Sequence, residues 1–187
     1  MIRQLGIIAE DQSDVDIVHL VLKKSAKKAF TVQKFIGHGC GKIRGKCRAW
    51  AENLCRRGCD RLVLIHDLDN KNAVELRNAI QAALAPCPVP KHVIVIAVQE
   101  VEAWLLADHA AISRALHLRR PVGKIANPEA ISRPKEYLRD LVYTRSGKSM
   151  RYLNTVHNKL IAAEASLSGL RRCASFVPLE TFAKEYL

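Results

Sequence analysis

Acidic residues follow three apolar segments of the chain, each directly at the point where the segment ends. The segments run from Leu5, from Leu62 and from Val93. Their acidic residues are Glu10, with Asp14 four positions later, then Asp67 and Asp69, and finally Glu100 and Glu102. Carboxylate oxygens are the ligands that suit Mg²⁺, Mn²⁺ or Ca²⁺, and carboxylates gathered in one place repel each other unless they are protonated or bridged by cations. The pattern therefore predicts a site for divalent metal ions.

Such a site requires elements that bring the three segment ends together. The hydrophobic pattern predicts strands at about 4–9, 31–36, 62–66 and 92–98, and helices at about 13–28, 42–57 and 71–84. Ser13, with Asp16 three residues later, has the spacing of a capping box for the first helix. Alternating strands and helices predict an α/β fold with a mainly parallel four-stranded sheet flanked by helices. In such a sheet the carboxyl ends of the strands share one edge, where ligands bind.

The second part of the chain shows no convincing strand. Helices are predicted near 109–117, 128–142, 149–166 and 178–186. We therefore expect an α/β core over residues 1–108 and a helical C-terminal extension over 109–187 that packs on it, with both parts forming a single domain. A chain of 187 residues is long enough to bury a core of this kind.

The chain is strongly basic, with a formal net charge of +12. Residues 110–187 hold 14 Lys and Arg against 6 Asp and Glu, which is two-thirds of the surplus. A basic surface favours polyanions such as nucleic acid, although it is also compatible with a merely soluble surface. The residues expected to contact phosphates are Arg119, Arg120, Lys124 and Lys148.

Other features concern the compartment and the cysteines. No apolar run approaches the ~18–20 residues needed to span a bilayer, and the first residues lack the pattern of a signal peptide, so a cytoplasmic protein is expected. The six cysteines are then expected to be reduced. His38, Cys40, Cys55 and Cys59 leave structural zinc as an alternative, but their spacing matches zinc sites poorly. Cys47 and Cys55 fit the buried face of a helix.

Each acidic group also has an interpretation without metal. Asp14 and Asp16 would favour a helix N-terminus through its dipole. Asp69 or Asn70 would cap a helix that begins at residue 71. Glu100 and Glu102 would be the solvated start of a helix.

Two longer strings add a resemblance to a known family. Residues 100–108 read Glu-Val-Glu-Ala-Trp-Leu-Leu-Ala-Asp, and residues 134–138 read Pro-Lys-Glu-Tyr-Leu. Together with the Glu10 segment and the Asp67-Leu68-Asp69 pair, they resemble Toprim domains. The resemblance is closest to nucleases of the overcoming-lysogenization-defect class and to small stand-alone Toprim-like proteins of bacterial phage-defence loci, which are often encoded beside an ATPase. The chain departs from the Toprim pattern at Asp11, where glycine is usual.

This resemblance implies a role for each matching residue. It implies that Glu10, Asp14, Asp67, Asp69 and Glu102 hold two Mg²⁺ or Mn²⁺ ions, with Glu100 as a further ligand. Glu10 is then the most plausible acceptor of the proton from water, and Lys135 is the cation that stabilises charge developing on phosphate. The expected function is a metal-dependent nuclease in phage defence, acting on DNA rather than RNA, with a separate ATPase as a possible partner and no membrane association.

Two other functions remain open at this stage. The chain could be a non-catalytic nucleic-acid-binding or regulatory subunit of an ATPase-containing defence complex, or it could transfer nucleotides as primases do. Ser146-Gly147-Lys148-Ser149 resembles the end of a P-loop, but Val142 stands where that motif needs glycine and no buried strand precedes it. No nucleotide cofactor is therefore expected in this chain.

Overall fold

The computed structural model describes residues 2–37 and 40–187, with the side chain of Cys40 excluded. Its sheet contains β1 (Arg3–Ala9), β2 (Phe30–Ile36), β3 (Arg61–Asp67) and β4 (Lys91–Ala97). The strand order is β2-β1-β3-β4, and every neighbouring pair is parallel. The predicted parallel four-stranded sheet is confirmed, with strand bounds within one residue or so of those expected.

Helices connect successive strands and cover both faces of the sheet. The connecting helices are α1 (Gln12–Ser25), α2 (Cys40–Arg56) and α3 (Ala73–Leu84). After β4 the described chain is helical, as predicted, and contains α4 (Glu102–Ala107), α5 (His109–Ala115), α6 (Pro134–Arg145), α7 (Asn154–Glu164), α8 (Leu167–Leu170) and α9 (Val177–Tyr186), with 3₁₀ turns at Pro128–Ala130 and Ala174–Phe176.

Two of the expected C-terminal helices differ from the prediction. The helix expected at 128–142 is a 3₁₀ turn followed by α6, because Pro134 starts α6 and Arg133 before it is not helical, at φ −135° and ψ 75°. The helix expected at 149–166 is α7, which begins at Asn154 and ends at Glu164. None of the described helices is long and apolar enough to cross a membrane.

The core consists of two hydrophobic clusters, one on each face of the sheet. Ile8, Leu64 and Ile96 lie in the cluster beneath α2 and α3, together with Cys47, whose predicted burial is confirmed. Ile7 and Ile65 lie in the cluster beneath α1 and the helices that follow β4. Neighbouring strand residues therefore point to opposite buried faces, which explains why the strands read as continuous apolar runs.

The start of α1 corrects the expected capping box. Its N-cap is Asp11, whose side chain accepts the backbone N–H of Asp14 at 3.1 Å, while the Asp14 carboxylate accepts the N–H of Asp11 at 3.0 Å. The box of Ser13 with Asp16 is therefore wrong. Ser13 is buried inside the first turn, and its hydroxyl accepts a hydrogen bond from Asn158 of α7.

Candidate metal centre

Four carboxylates come together at the carboxyl edge of the sheet. Glu10 follows β1, Asp67 is the last residue of β3, and Glu102 opens α4 shortly after β4. Asp14 reaches the same place from the first turn of α1. Burial raises the pKa of Asp67 well above its ordinary value, and the negative charges of the other three carboxylates raise it further. Charge effects of this kind indicate that the four groups lie near one another at this edge of the sheet.

Asp67 is held between two strands and the start of α4. Its Oδ1 accepts the backbone N–H of Val101 at 3.0 Å, and its own backbone N–H donates to Oε1 of Glu10 at 3.3 Å. The carboxylate is therefore oriented by the main chain that leads into α4. Its position does not depend on a flexible side-chain partner.

Asp14 combines a structural task with its place in the cluster. It is 6 % exposed, and burial raises its pKa well above the ordinary value, with the neighbouring charge of Asp11 adding to the effect. The interpretation of Asp14 as part of the helix start is confirmed by the capping box. Asp11, the position at which the chain departs from the Toprim pattern, has φ −139° and ψ 178°. That extended backbone is open to any residue, so glycine is not required there.

Glu102 is buried and tied to the helical extension. It is 3 % exposed, and one of its oxygens accepts the Nδ2 amide of Asn158 at 3.0 Å. The same amide group donates to the hydroxyl of Ser13 at 2.6 Å, and the hydroxyl of Tyr152 donates to Oδ1 of Asn158. Burial raises the pKa of Glu102. The expectation that Glu102 is merely a solvated helix start is wrong.

Lys135 faces the cluster from the first turn of α6. Burial alone would lower its pKa, but the charges of Glu102, Asp11 and the other nearby acids outweigh that effect and raise it. The backbone N–H of Lys135 donates to Oε2 of Glu100 at 2.8 Å, which anchors the start of α6 beside β4. The ammonium group therefore lies within range of the charges of Glu102, Glu100 and Asp14.

Asp69 and Glu100 lie beside the four-carboxylate cluster, next to a further acid. A cavity of about 190 Å³ is lined by Asp69, Gln99, Glu100, Arg133 and Glu136, among others. Burial raises the pKa of Glu100, and the charges of Glu136 and Asp69 raise it further. One oxygen of Glu136 is buried and has no hydrogen-bond partner among the described residues. Asp69 pairs with Lys71 at 3.2 Å.

The expectation that Asp69 or Asn70 caps the next helix is wrong. The N-cap of α3 is Asn72, whose side-chain oxygen accepts the N–H groups of Val74 and Glu75 at 2.9 and 3.1 Å. Asp69 and Asn70 instead have positive φ values of 48° and 60°, in the tight turn after β3. The turn directs Asp69 toward the cavity that it shares with Glu100.

His66 belongs to the site although the sequence did not point to it. It is 2 % exposed, and its Nδ1 lies 2.9 Å from Oε1 of Glu10 and 2.6 Å from the backbone oxygen of Asp67. Burial alone would lower the pKa of His66, but the hydrogen bond and the charge of Glu10 raise it. A signal was present, because His66 is the polar residue that interrupts an otherwise apolar strand directly before Asp67.

The residue types at this edge suit a hard divalent cation, but their present side-chain positions do not. Oxygen ligands of this type suit Mg²⁺ or Mn²⁺. Within residues 2–37 and 40–187, however, no three or more His, Cys, Asp or Glu side chains are grouped closely enough to hold one ion. The hydrogen bonds of Asp67 with Val101 and of Glu102 with Asn158 each engage one of the two oxygens of the carboxylate. Metal binding therefore requires these side chains to turn.

The predicted phosphate-binding residues lie away from the carboxylates. Arg119, Arg120, Lys124 and Lys148 are all exposed. The backbone N–H of Arg120 donates to the oxygen of Arg145, the last residue of α6, and Lys148 follows that helix. Since α6 begins at Pro134, next to Lys135, the length of the helix separates Arg120 and Lys148 from Lys135 by roughly 15 Å.

Two other sequence motifs can also be placed. Ser146 is the C-cap of α6 and Gly147 follows a helix, so the segment lacks the strand that precedes a P-loop. Cys59 is buried, whereas Cys55, which was predicted to lie on a buried helix face, is only half-buried. His38, part of the zinc alternative, lies outside the described residues, as does the side chain of Cys40, so that alternative stays untested.

A comparison with known families matches nearly the whole chain. The family described as "Domain of unknown function (DUF4276)" matches residues 9–182. The chain therefore belongs to this family. No curated protein and no solved structure matches it. The matched range includes all six predicted metal-ligating acids and Lys135.

Proposed function

We propose that this DUF4276 protein is a nuclease that hydrolyses phosphodiester bonds with Mg²⁺ or Mn²⁺. The observation that carries the proposal is that the charges of Glu10, Asp14 and Glu102 raise the pKa of the buried Asp67 at the edge of the sheet. Two of these acids, Asp14 and Glu102, also raise the pKa of Lys135. Buried carboxylates with raised pKa values are poorly accommodated without a counter-charge, and divalent cations supply it. Similar perturbed groups gathered in a cleft are typical of functional sites.

The acids divide into ligands of two neighbouring positions. Glu10, Asp14, Asp67 and Glu102 would hold one cation, and Asp69 and Glu100 would help to hold a second. When bound, such ions lower the pKa of water and stabilise the attacking and leaving oxygens of phosphoryl transfer. Asp67 lies at the boundary, since its pKa responds to the charges of both groups.

Glu10 would accept the proton of the attacking water, and Lys135 would neutralise the charge that develops on the phosphate. Oε1 of Glu10 is oriented by His66 and by the backbone N–H of Asp67, so its other oxygen is left to accept a proton from water. The Lys135 ammonium would neutralise the charge that builds on the phosphate oxygens, in a half-buried position where such an interaction is stronger than in water.

The substrate class and the biological setting have separate support. The net charge of +12 favours a polyanion, and we propose DNA as the substrate rather than RNA. The resemblance to small Toprim-like proteins of phage-defence loci supports a cytoplasmic role in anti-phage defence with a separate ATPase partner. The Asp11 departure does not argue against this function, because the backbone there is extended and Asp11 serves as the cap of α1.

A second function has one observation in its favour. Oxygens of Asp67, Asp14 and Glu102 are engaged by protein N–H groups, and no three described acids are grouped around one ion position. A fold whose acids serve only to fasten α1, α4 and α7 would be a non-catalytic nucleic-acid-binding or regulatory subunit. That protein would bind nucleic acid or an ATPase without cutting.

Replacement of Asp67 separates the two functions. Asp67→Asn keeps an oxygen for the N–H of Val101 but removes the charge, so the fold should persist. Cleavage of DNA with Mn²⁺ should fall by more than about 100-fold. Loss of a residue that only supports a metal ligand costs up to about 100-fold, and loss of a direct ligand should cost more. The matched control is Asp140→Asn, which removes an exposed carboxylate from α6.

DNA cleavage and DNA binding are measured with the same purified wild-type and variant proteins. Cleavage of a labelled duplex and of a labelled single strand is followed with Mg²⁺, with Mn²⁺ and with EDTA. Loss in Asp67→Asn but not in Asp140→Asn supports the nuclease. Equal cleavage by a folded Asp67→Asn protein would show that the activity arises elsewhere. DNA binding without cleavage by the wild type would favour the non-catalytic subunit.

A further inference from the structure

A cavity of about 280 Å³ lies between α2 and α3, on the other side of the carboxylate cluster from Lys135. It is lined by Gly41, Arg44, His66, Lys71, Asn72 and Glu75, together with apolar residues of α3. Helices α2 and α3 cover one face of the sheet. Helix α6, which carries Lys135, packs in the hydrophobic cluster on the opposite face. The acids therefore separate the cavity from Lys135.

The polar lining of this cavity is mainly cationic. Arg44 and Lys71 are both exposed, and Glu75 is the acid that accompanies them. The Arg44 guanidinium pairs with no acid of the described chain, and the first turn of α2 contains no acidic residue. Lys71 pairs with Asp69, a predicted metal ligand, at 3.2 Å. The cavity therefore offers two cations to a ligand, and one of them already contacts the acidic site.

His66 connects this cavity directly to the carboxylates. Its ring lines the cavity, while its Nδ1 lies within hydrogen-bond distance of Glu10 and of the Asp67 backbone oxygen. The hydrogen bonds found among the described residues use Nδ1 and leave Nε2 without a partner. A single buried imidazole thus separates the cavity from Glu10, so a group held in the cavity is a neighbour of a group held at the acids.

We propose that this cavity binds a phosphate group of the nucleic-acid strand other than the one that is cut. Arg44 supplies a planar donor that suits two phosphate oxygens at once, Lys71 supplies a second charge, and His66 forms the wall toward the scissile phosphate. The inference rests on the proposed function for the identity of the strand. It assigns a direction to the substrate, which runs from the Lys135 side across the acids into the space between α2 and α3.

The first test uses inorganic phosphate as the probe and needs no cleavage. In ¹H–¹⁵N spectra, phosphate should shift the amides of Lys71 and Asn72 in the wild type. The double variant Arg44→Ala/Lys71→Ala should lose the response of Asn72. The control Lys27→Ala/Lys46→Ala removes two exposed charges that do not line the cavity and should respond as the wild type does. Equal shifts of Asn72 in all three proteins would overturn the proposal.

The second test uses oligonucleotides of one sequence with a 5′-phosphate, a 3′-phosphate or neither. The cavity variant should raise the KM for Mn²⁺-dependent cleavage about tenfold, as expected when charged hydrogen bonds are lost. Its salt dependence should flatten by roughly 0.7–0.9 for each lost contact. An equal loss on all three substrates identifies an internal phosphate, and a loss confined to one end identifies a terminal phosphate. No difference from the charge-matched control would overturn the proposal.

Failure of the inference differs from failure of the nuclease assignment. If the wild type cuts none of the oligonucleotides but phosphate still shifts Asn72 in a manner that needs Arg44 and Lys71, the cavity binds phosphate and the nuclease proposal is wrong. If the wild type cuts and the cavity variant behaves as the control does, the nuclease stands and the cavity assignment is wrong.

Discussion

Lys135 takes part in the site through both its backbone and its side chain. Its N–H binds Glu100, and its ammonium group is stabilised by the acids around it. Lys135→Ala leaves the backbone contact in place, so the start of α6 should be unaffected while the charge is lost. The two roles can therefore be separated by one substitution.

We predict that Lys135→Ala lowers the rate of the cleavage step by about 100- to 1,000-fold, the range for loss of one group that stabilises transition-state charge. DNA affinity should change much less, because one charge among 30 Lys and Arg is removed. Arg139→Ala, four residues along the same helix and exposed, is the control. The measurement is single-turnover cleavage at saturating protein. A wild-type rate under these conditions would make Lys135 an ordinary phosphate contact.

Residues at strand ends could be predicted from the sequence, but their partners could not. Glu10, Asp67 and Glu102 are marked by the apolar segments that precede them. His66 was missed because a single histidine within a buried strand is more often structural. Asn158 was missed because its contact with Glu102 joins residues 56 positions apart, and no local pattern encodes such a contact.

At the scale of elements, the start of α1 joins the stability of the fold to the site. Asp11 and Asp14 cap each other's backbone N–H groups, and Asp14 also belongs to the acidic cluster. The sequence correctly indicated a helix here but placed the cap two residues late, since Ser13 and Asp16 have the same spacing. Burial of Ser13 against α7 decides between the two registers, and it depends on tertiary packing.

We predict that Asp11→Ala lowers the free energy of unfolding by about 1 kcal/mol, as for other lost N-caps, and that Asp11→Gly lowers it by a few tenths of a kcal/mol. Urea unfolding of the metal-free proteins measures both. Asp11→Gly also restores the usual Toprim residue, and cleavage should be unchanged because the backbone is already extended. Unaltered stability of Asp11→Ala would refute the capping box.

At the scale of the whole molecule, the proposed metal ions would compete with protons for the same acids. The pKa values of Asp14, Asp67 and Glu102 are raised, chiefly by burial. The folded state therefore binds protons more tightly than the unfolded state does, and stability falls as pH rises from the ordinary carboxylate range through the raised values. His66, also raised, acts in the same direction. Glu180, with a pKa lowered to about 2, acts in the opposite direction, but its contribution is complete once pH exceeds the ordinary carboxylate range.

We predict that the metal-free protein melts at a higher temperature at pH 5.5 than at pH 7.5. Mn²⁺ should reverse this order, because it must displace protons at the lower pH. At a hundredfold excess over Kd the stabilisation at pH 7.5 should be about 2.7 kcal/mol, or roughly 5–10 °C for a chain of this size. Asp67→Asn should respond much less. An identical response to Mn²⁺ in both proteins would place the metal at another site.

The basic surface at the far end of α6 should act on affinity alone. Neutralising Arg119, Arg120 and Lys124 should weaken DNA binding and reduce its log–log salt dependence by roughly 0.7–0.9 per lost contact. Single-turnover cleavage at saturating protein should stay at the wild-type rate. Arg120 contacts Arg145, roughly 15 Å along α6 from Lys135, and none of the three residues belongs to the acidic cluster. Binding titrations at several salt concentrations provide the measurement. A salt dependence equal to that of the wild type would show that nucleic acid does not reach this surface.

The link from Asn158 to Ser13 and Glu102 has a consequence for how the protein can be divided. The amide of one residue in α7 fastens the helix after β1 to the helix after β4. A fragment that ends at residue 108 would retain all six predicted metal ligands but would lack the hydrogen bonds from Asn158. The sheet and the helical extension are therefore not independent units, and a fragment that contains the sheet alone would not reproduce the surroundings of Glu102. A ligand that displaced α7 would release both Ser13 and Glu102 from Asn158 without binding to any of the predicted metal ligands.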